Sequence, residues 1–73
     1  MSEYAPPVAH LIQFFAYGHL PPHLQDVSSP FAELAHRMAD TLPVNAETVA
    51  GLRKLLEAKD CAVRSFILTP REG

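Results

Sequence analysis

Four histidines, one cysteine and a run of aromatic residues are what this chain has to offer for chemistry. His19 and His23 stand four apart, a spacing at which two imidazoles on one helix face can share a metal ion. Leu20-Pro21-Pro22 between them interrupts any such face, and no cysteine or second histidine pair completes a tetrahedral set, so no metal is expected. His10 and His36 read as polar-edge or subunit-contact residues. Cys61 falls among apolar and charged residues of a helical stretch, where a thiol packs as a small apolar group. No Ser/His/Asp or Cys/His arrangement surrounds it, and there is no glycine-rich phosphate loop and no convincing pair of close carboxylates. An enzyme is therefore not expected, nor a cofactor. The most suggestive feature is Phe14, Phe15 and Tyr17 followed by His19, because an aromatic ring beside a bend can offer its face to a nucleobase, at about 1–3 kcal/mol per stacked base. The plainer role for Phe14 and Phe15 is core. Tyr17 divides between the two roles, since its hydroxyl needs water or a partner.

These residues must be positioned by helices. Val27, Phe31, Leu34, Met38 and Leu42 recur at steps of three and four, with Ala35 and Ala39 widening the stripe. Downstream, Val49, Leu52, Leu55, Leu56, Ala62, Val63 and Phe66 do the same. Between them lies Leu42-Pro43-Val44-Asn45: Pro43 cannot continue a helix, and Asn45 suits an N-cap. The pattern predicts an antiparallel helical hairpin with helices over 21–42 and 46–67. Pro30 either kinks the first of these near 28–30 or breaks it, with Ser29 capping a fresh helix. Before the hairpin, Val8 to Tyr17 is apolar almost all round and predicts a short buried helix over 8–17, stopped by Gly18 in a left-handed conformation. Pro6-Pro7 predicts an extended lead-in over 1–7, and 68–73 a loose tail. Arg53 with Glu57, Asp60 with Arg64 and Glu33 with Arg37 have the spacing of ion pairs on solvated faces.

The chain is one all-α domain at most, for 73 residues seldom bury enough apolar surface to be stable alone. A single cysteine rules out an internal disulfide, so a symmetric homo-oligomer is expected to complete the core. Six Lys and Arg against eight Asp and Glu leave a formal charge of −2, which disfavours a DNA or RNA polymer as partner but not a small anion. No apolar run is long enough to span a membrane and no basic start or cleavage site marks a signal peptide, so a soluble cytoplasmic protein with no membrane partner is expected.

The order Phe15-Ala16-Tyr17-Gly18-His19-Leu20-Pro21, then Gln25, then a hairpin carrying Leu34-Ala35, Leu42-Pro43, Glu47, Leu52, Leu55, Ala58, Ala62 and Ile67, resembles a known family. It is similar to the hairpin domain of the phage-encoded sponge proteins that counter the CBASS and Thoeris immune systems. Those proteins show an aromatic-x-Tyr-His-x-Pro-x-x-x-Gln lead-in, a helix ending in Cys-Pro or a similar pair, Glu four residues on, and a Leu-x-x-Ala-x-x-x-Ala second helix. The resemblance covers residues 14 to 67.

It implies a function without a reaction. Family members assemble from interlocked dimers, often into hexamers, and hold cyclic dinucleotides or related signalling nucleotides in pockets between subunits. Sequestration keeps the signal from the host's defence effector. Tyr17 would match the family tyrosine that stacks on a base, although Gly18 inserts one residue between it and His19. The family's phosphate-binding Lys or Arg falls here on Ser28-Ser29-Pro30. Serine hydroxyls, backbone N–H groups at a helix start capped by Ser29, or His19 and His23 stand open as replacements, and Arg64 is a candidate for a second pocket. The implied ligand-binding set is thus Tyr17, His19, Ser28, Ser29 and Arg64. The rival expectation is a small helical adaptor or structural oligomer that binds a protein partner and no nucleotide; a regulator that contacts DNA is disfavoured by net charge.

Overall fold

Prolines open two of the three α-helices in the computed structural model, which describes residues 4–70. The first helix, α1 (Pro6–Ile12), carries Pro6 and Pro7 at its start, where their fixed φ suits the first turn and the missing N–H groups would have had no intrahelical acceptor. Ala5 precedes it in an extended conformation, and its carbonyl accepts from the N–H groups of Val8 and Ala9 at 2.9 and 2.8 Å. The lead-in expected over 1–7 is therefore shorter, because Pro6-Pro7 begins the helix; its residues 1–3 lie outside the described part. Nor is the helix over 8–17 a single element. It passes at Gln13–Phe15 into a turn of 3₁₀ helix and ends at Ala16, whose ψ of 136° turns the chain outward. Gly18 is not the left-handed stop, since its φ does not lie in that region and a Cβ there would meet nothing within 4 Å.

The hairpin is α2 (Pro22–Thr41) packed on α3 (Ala46–Leu68). Helix α2 runs unbroken through Pro30, so Ser29 caps nothing and no fresh helix starts there. Both Pro30 and Asp26 are exposed, so the Asp26 carbonyl that loses its helical donor can turn to water instead. At the bend, Leu42 leaves the helix extended and Asn45 caps α3, its side-chain oxygen accepting from the Thr48 N–H at 3.0 Å. Buried Thr48 closes the bend from inside, donating its hydroxyl to the Pro43 carbonyl at 2.7 Å. Helix α3 reaches Leu68, one residue past the expected end, and of the expected tail residues 71–73 lie outside the described part.

Val8, Leu11, Phe15, Ala32, Ala35 and Leu52 form the buried centre where α1, the 3₁₀ turn and the hairpin meet. The stripe on α2 is rotated from the one expected. Its buried residues are Leu24, Ser28, Ala32 and Ala35, at steps of four, four and three, while Leu34 and Leu42 are exposed. The column is mostly small, which lets the larger Phe15, Leu11 and Leu52 fill the space above it. Val27, Phe31, Met38 and Ala39 flank it, half-buried. On α3 the stripe lies as expected, with Leu52 fully buried and Val49, Leu55, Leu56, Ala62, Val63 and Phe66 partly so.

Candidate functional site

The 3₁₀ turn Gln13–Phe15 gives one aromatic ring to solvent and the other to the core. With three residues per turn, neighbours point about 120° apart. Phe15 turns inward at 1% exposure, and Phe14 turns outward at 48%. Expected in the core, Phe14 is instead a surface ring, steadied by His10, whose imidazole meets it nearly perpendicularly at 5.4 Å between centroids. Past Ala16 the chain bends back to α2, and Gln25 fixes the bend by donating its side-chain amide to the carbonyls of Leu20 at 2.8 Å and Gly18 at 3.5 Å. The Gln25 side chain thereby sets where His19 stands.

Opposite this bend runs the second half of α3. Lys59, its side chain 13% exposed, reaches across and donates to the Phe14 carbonyl at 3.0 Å. That carbonyl sits at the end of the 3₁₀ turn, where backbone acceptors lack helical partners, so the ammonium satisfies it and fastens the aromatic segment to α3. Lys59 also pairs with Asp60 at 3.0 Å. Asp60 thus pairs with its neighbour and not with Arg64 as the spacing suggested; Arg64 instead directs one guanidinium nitrogen to the Cys61 sulfur at 3.4 Å. Among the described residues, neither Arg53 with Glu57 nor Glu33 with Arg37 forms an ion pair.

Bend and helix together enclose an open cavity of about 330 Å³. Phe14, His19, Lys59, Asp60 and Arg64 line it, and Ala16, Leu20 and Val63 supply its apolar wall. Chemically it combines an exposed aromatic ring, two permanent cations, an imidazole and one carboxylate. Such a set can hold a small anion that carries a flat apolar group.

Of the five residues expected to bind a ligand, His19 and Arg64, 45 positions apart in sequence, meet at this cavity. Tyr17 does not line it and packs, half-buried, against the core. Ser28 lies wholly buried on the core face of α2, its hydroxyl without a hydrogen-bond partner, and Ser29 beside it is half-buried. Neither serine lines the cavity, and with α2 continuous there are no free N–H groups at a helix start beside Ser29. His23 stands apart from His19, resting its ring on Phe66 at 5.9 Å.

The sequence singles out Phe14 within its aromatic run but reads it as core, and it offers no site signal at Lys59 or Asp60. A helix of 3.6 residues per turn already sets Phe14 and Phe15 about 100° apart, but in a segment apolar almost all round the pattern does not say which of the two faces the core. Lys59 and Asp60 look like ordinary charges on a solvated helix face, and only the carbonyl 45 residues upstream distinguishes Lys59. A second groove, of about 410 Å³, lies at the far end of the hairpin between Val27 and the α3 residues Ala62 and Phe66, and is mainly apolar.

No protein-family model matches the chain. Comparison with curated proteins finds no match, and comparison with solved structures finds none.

Proposed function

We propose that this protein binds and sequesters a cyclic di- or oligonucleotide signal, without catalysis, as a sponge of the kind that blunts bacterial anti-phage defence. The observation that carries this reading is the meeting of His19 and Arg64 at one cavity beside an exposed aromatic ring. A nucleotide needs a cation for its phosphate and a flat apolar surface for its base, and this cavity offers both within one wall. The family resemblance supplies the cyclic ligand and the biological role; the cavity supplies the chemistry.

The reading includes self-assembly into a dimer-based homo-oligomer, as large as a hexamer. Supporting it, the described helices bury few large side chains, and Phe14, Leu34, Leu42, Val44, Ile67 and Leu68 remain exposed. The chain's accessible surface is 5211 Å², against about 4,500 Å² for a typical folded monomer of this mass. The excess approaches the roughly 800 Å² that each partner contributes to a standard interface.

Native mass spectrometry of the purified chain, alone and with a mixture of cyclic di- and trinucleotides and cyclic ADP-ribose isomers, tests the proposal. The expected result is an even-numbered oligomer that retains one nucleotide per dimer or a fixed multiple. A clean oligomer that retains none would overturn the sponge reading in favour of a helical adaptor for a protein partner.

A further inference from the structure

The charge on the cavity wall says which phosphate it accepts. Lys59 and Arg64 contribute two permanent positive charges and Asp60 one negative, so the wall carries a net single positive charge when His19 is neutral. A phosphodiester bears one negative charge and matches that wall. A terminal phosphomonoester bears close to two near neutral pH, and its second charge meets the Asp60 carboxylate. Donor capacity remains for the match: Lys59 has three N–H groups, of which one is given to the Phe14 carbonyl and one to Asp60, and Arg64 gives one guanidinium nitrogen to Cys61.

Phe14 stands on the same wall, and its backbone is held to α3 by the very ammonium that faces the phosphate. The Phe14 backbone and the cation therefore keep a fixed separation, which reduces the ordering cost of a ligand that uses both ring and cation. Tyr17, the stacking residue the resemblance implied, is engaged with the core instead. At about 330 Å³ the cavity is at the small end of ligand sites and suits one nucleotide unit.

We infer that each chain holds one phosphodiester-linked nucleotide unit here, its base on Phe14 and its phosphate on Arg64 and Lys59, with Asp60 selecting against a terminal phosphate. This rests on the nucleotide reading above. The test is calorimetric titration of the full chain with cyclic di-AMP, cyclic di-GMP and cyclic GMP-AMP, each beside its linear form bearing a 5′-phosphate. The wild-type chain is expected to prefer a cyclic probe over its linear form by tenfold or more. Phe14→Leu should weaken binding of that probe by about 5- to 150-fold, the range of one lost stacking contact, and Arg64→Gln by at least tenfold. Asp60→Asn should narrow the gap between cyclic and linear forms. Phe14 and Arg64 are exposed and Asp60 is partly so, and a melting curve for each variant checks that the fold is kept. Tight binding of a cyclic probe that Phe14→Leu and Arg64→Gln leave unchanged would overturn the site and spare the sponge. An Asp60→Asn variant with undiminished preference would overturn the charge selection. Failure of the wild-type chain to bind any probe would overturn the nucleotide reading and this inference with it.

Discussion

Ser28 is the residue most at odds with its surroundings. Its side chain is fully buried and its hydroxyl has neither donor nor acceptor within reach, a condition that costs about 1–3 kcal/mol. Ser28→Ala keeps the small volume that this column of α2 requires and removes the unsatisfied group. It should stabilise the chain by roughly 1 kcal/mol, a rise in melting temperature of about 4–8 °C for a domain this size, read by circular dichroism. A fall would mean that the hydroxyl has found a partner in a second chain or a buried water. At this scale the sequence was legible where side-chain chemistry alone sufficed. His19 stood out as a polar group beside an aromatic bend, and Arg64 only through the family resemblance, as a candidate for a second pocket. Phe14 stood out as an aromatic beside that bend but not as the exposed ring, because a segment apolar almost all round does not say which of two neighbouring rings faces the core. Lys59 did not, because its role comes from a distant backbone carbonyl.

The elements were legible wherever a break is written in side chains. Pro43 and Asn45 mark the bend, and the hairpin turns there with the Asn45 cap in place. Loss of this cap should be measurable by itself: Asn45→Ala is expected to cost about 1 kcal/mol in urea unfolding and Asn45→Asp much less, since aspartate caps equally well. An unchanged midpoint in the alanine variant would show that Thr48, through its bond to the Pro43 carbonyl, holds the bend alone. The prolines elsewhere were harder to read. Proline at a helix start and proline at a helix end have the same local sequence signature, and Pro6-Pro7 proved to be a start. Pro30 sits inside a helix that continues, and what permits it is the exposure of Pro30 and Asp26 on the solvent face. Which face a residue shows depends on the rotation of α2, and that was misjudged for a related reason. The expected stripe was centred on the largest apolar residues with Ala35 only widening it, whereas the packed one runs through Leu24, Ser28, Ala32 and Ala35, whose mostly small side chains make room for Phe15.

Taken whole, the molecule is slender. It measures 40 × 24 × 17 Å with a radius of gyration of 13.1 Å, where a spherical domain of 73 residues would have about 11 Å. None of its described helices is long and apolar enough to cross a membrane. Besides Phe14 and Leu34, its exposed large apolar side chains lie at opposite ends, Leu42 and Val44 at the bend and Ile67 and Leu68 at the far end beside the apolar groove of Val27 and Phe66. In the proposed oligomer copies of the chain cover such ends, and folding is then linked to association. The melting temperature should therefore climb steadily as protein concentration rises from about 1 to 100 µM, as mass action requires of a folded oligomer in equilibrium with unfolded chains. Light scattering over the same range should show a mass that is an even multiple of 8.0 kDa. Ile67→Asp puts a charge on an exposed position where the isolated chain tolerates it. If the far end is a subunit contact, this variant should lower both the mass and the melting temperature. An 8.0 kDa species in the low micromolar range, melting at one temperature whatever its concentration, would show that the three helices stand alone. The proposed nucleotide would then have to be held by one chain's residues.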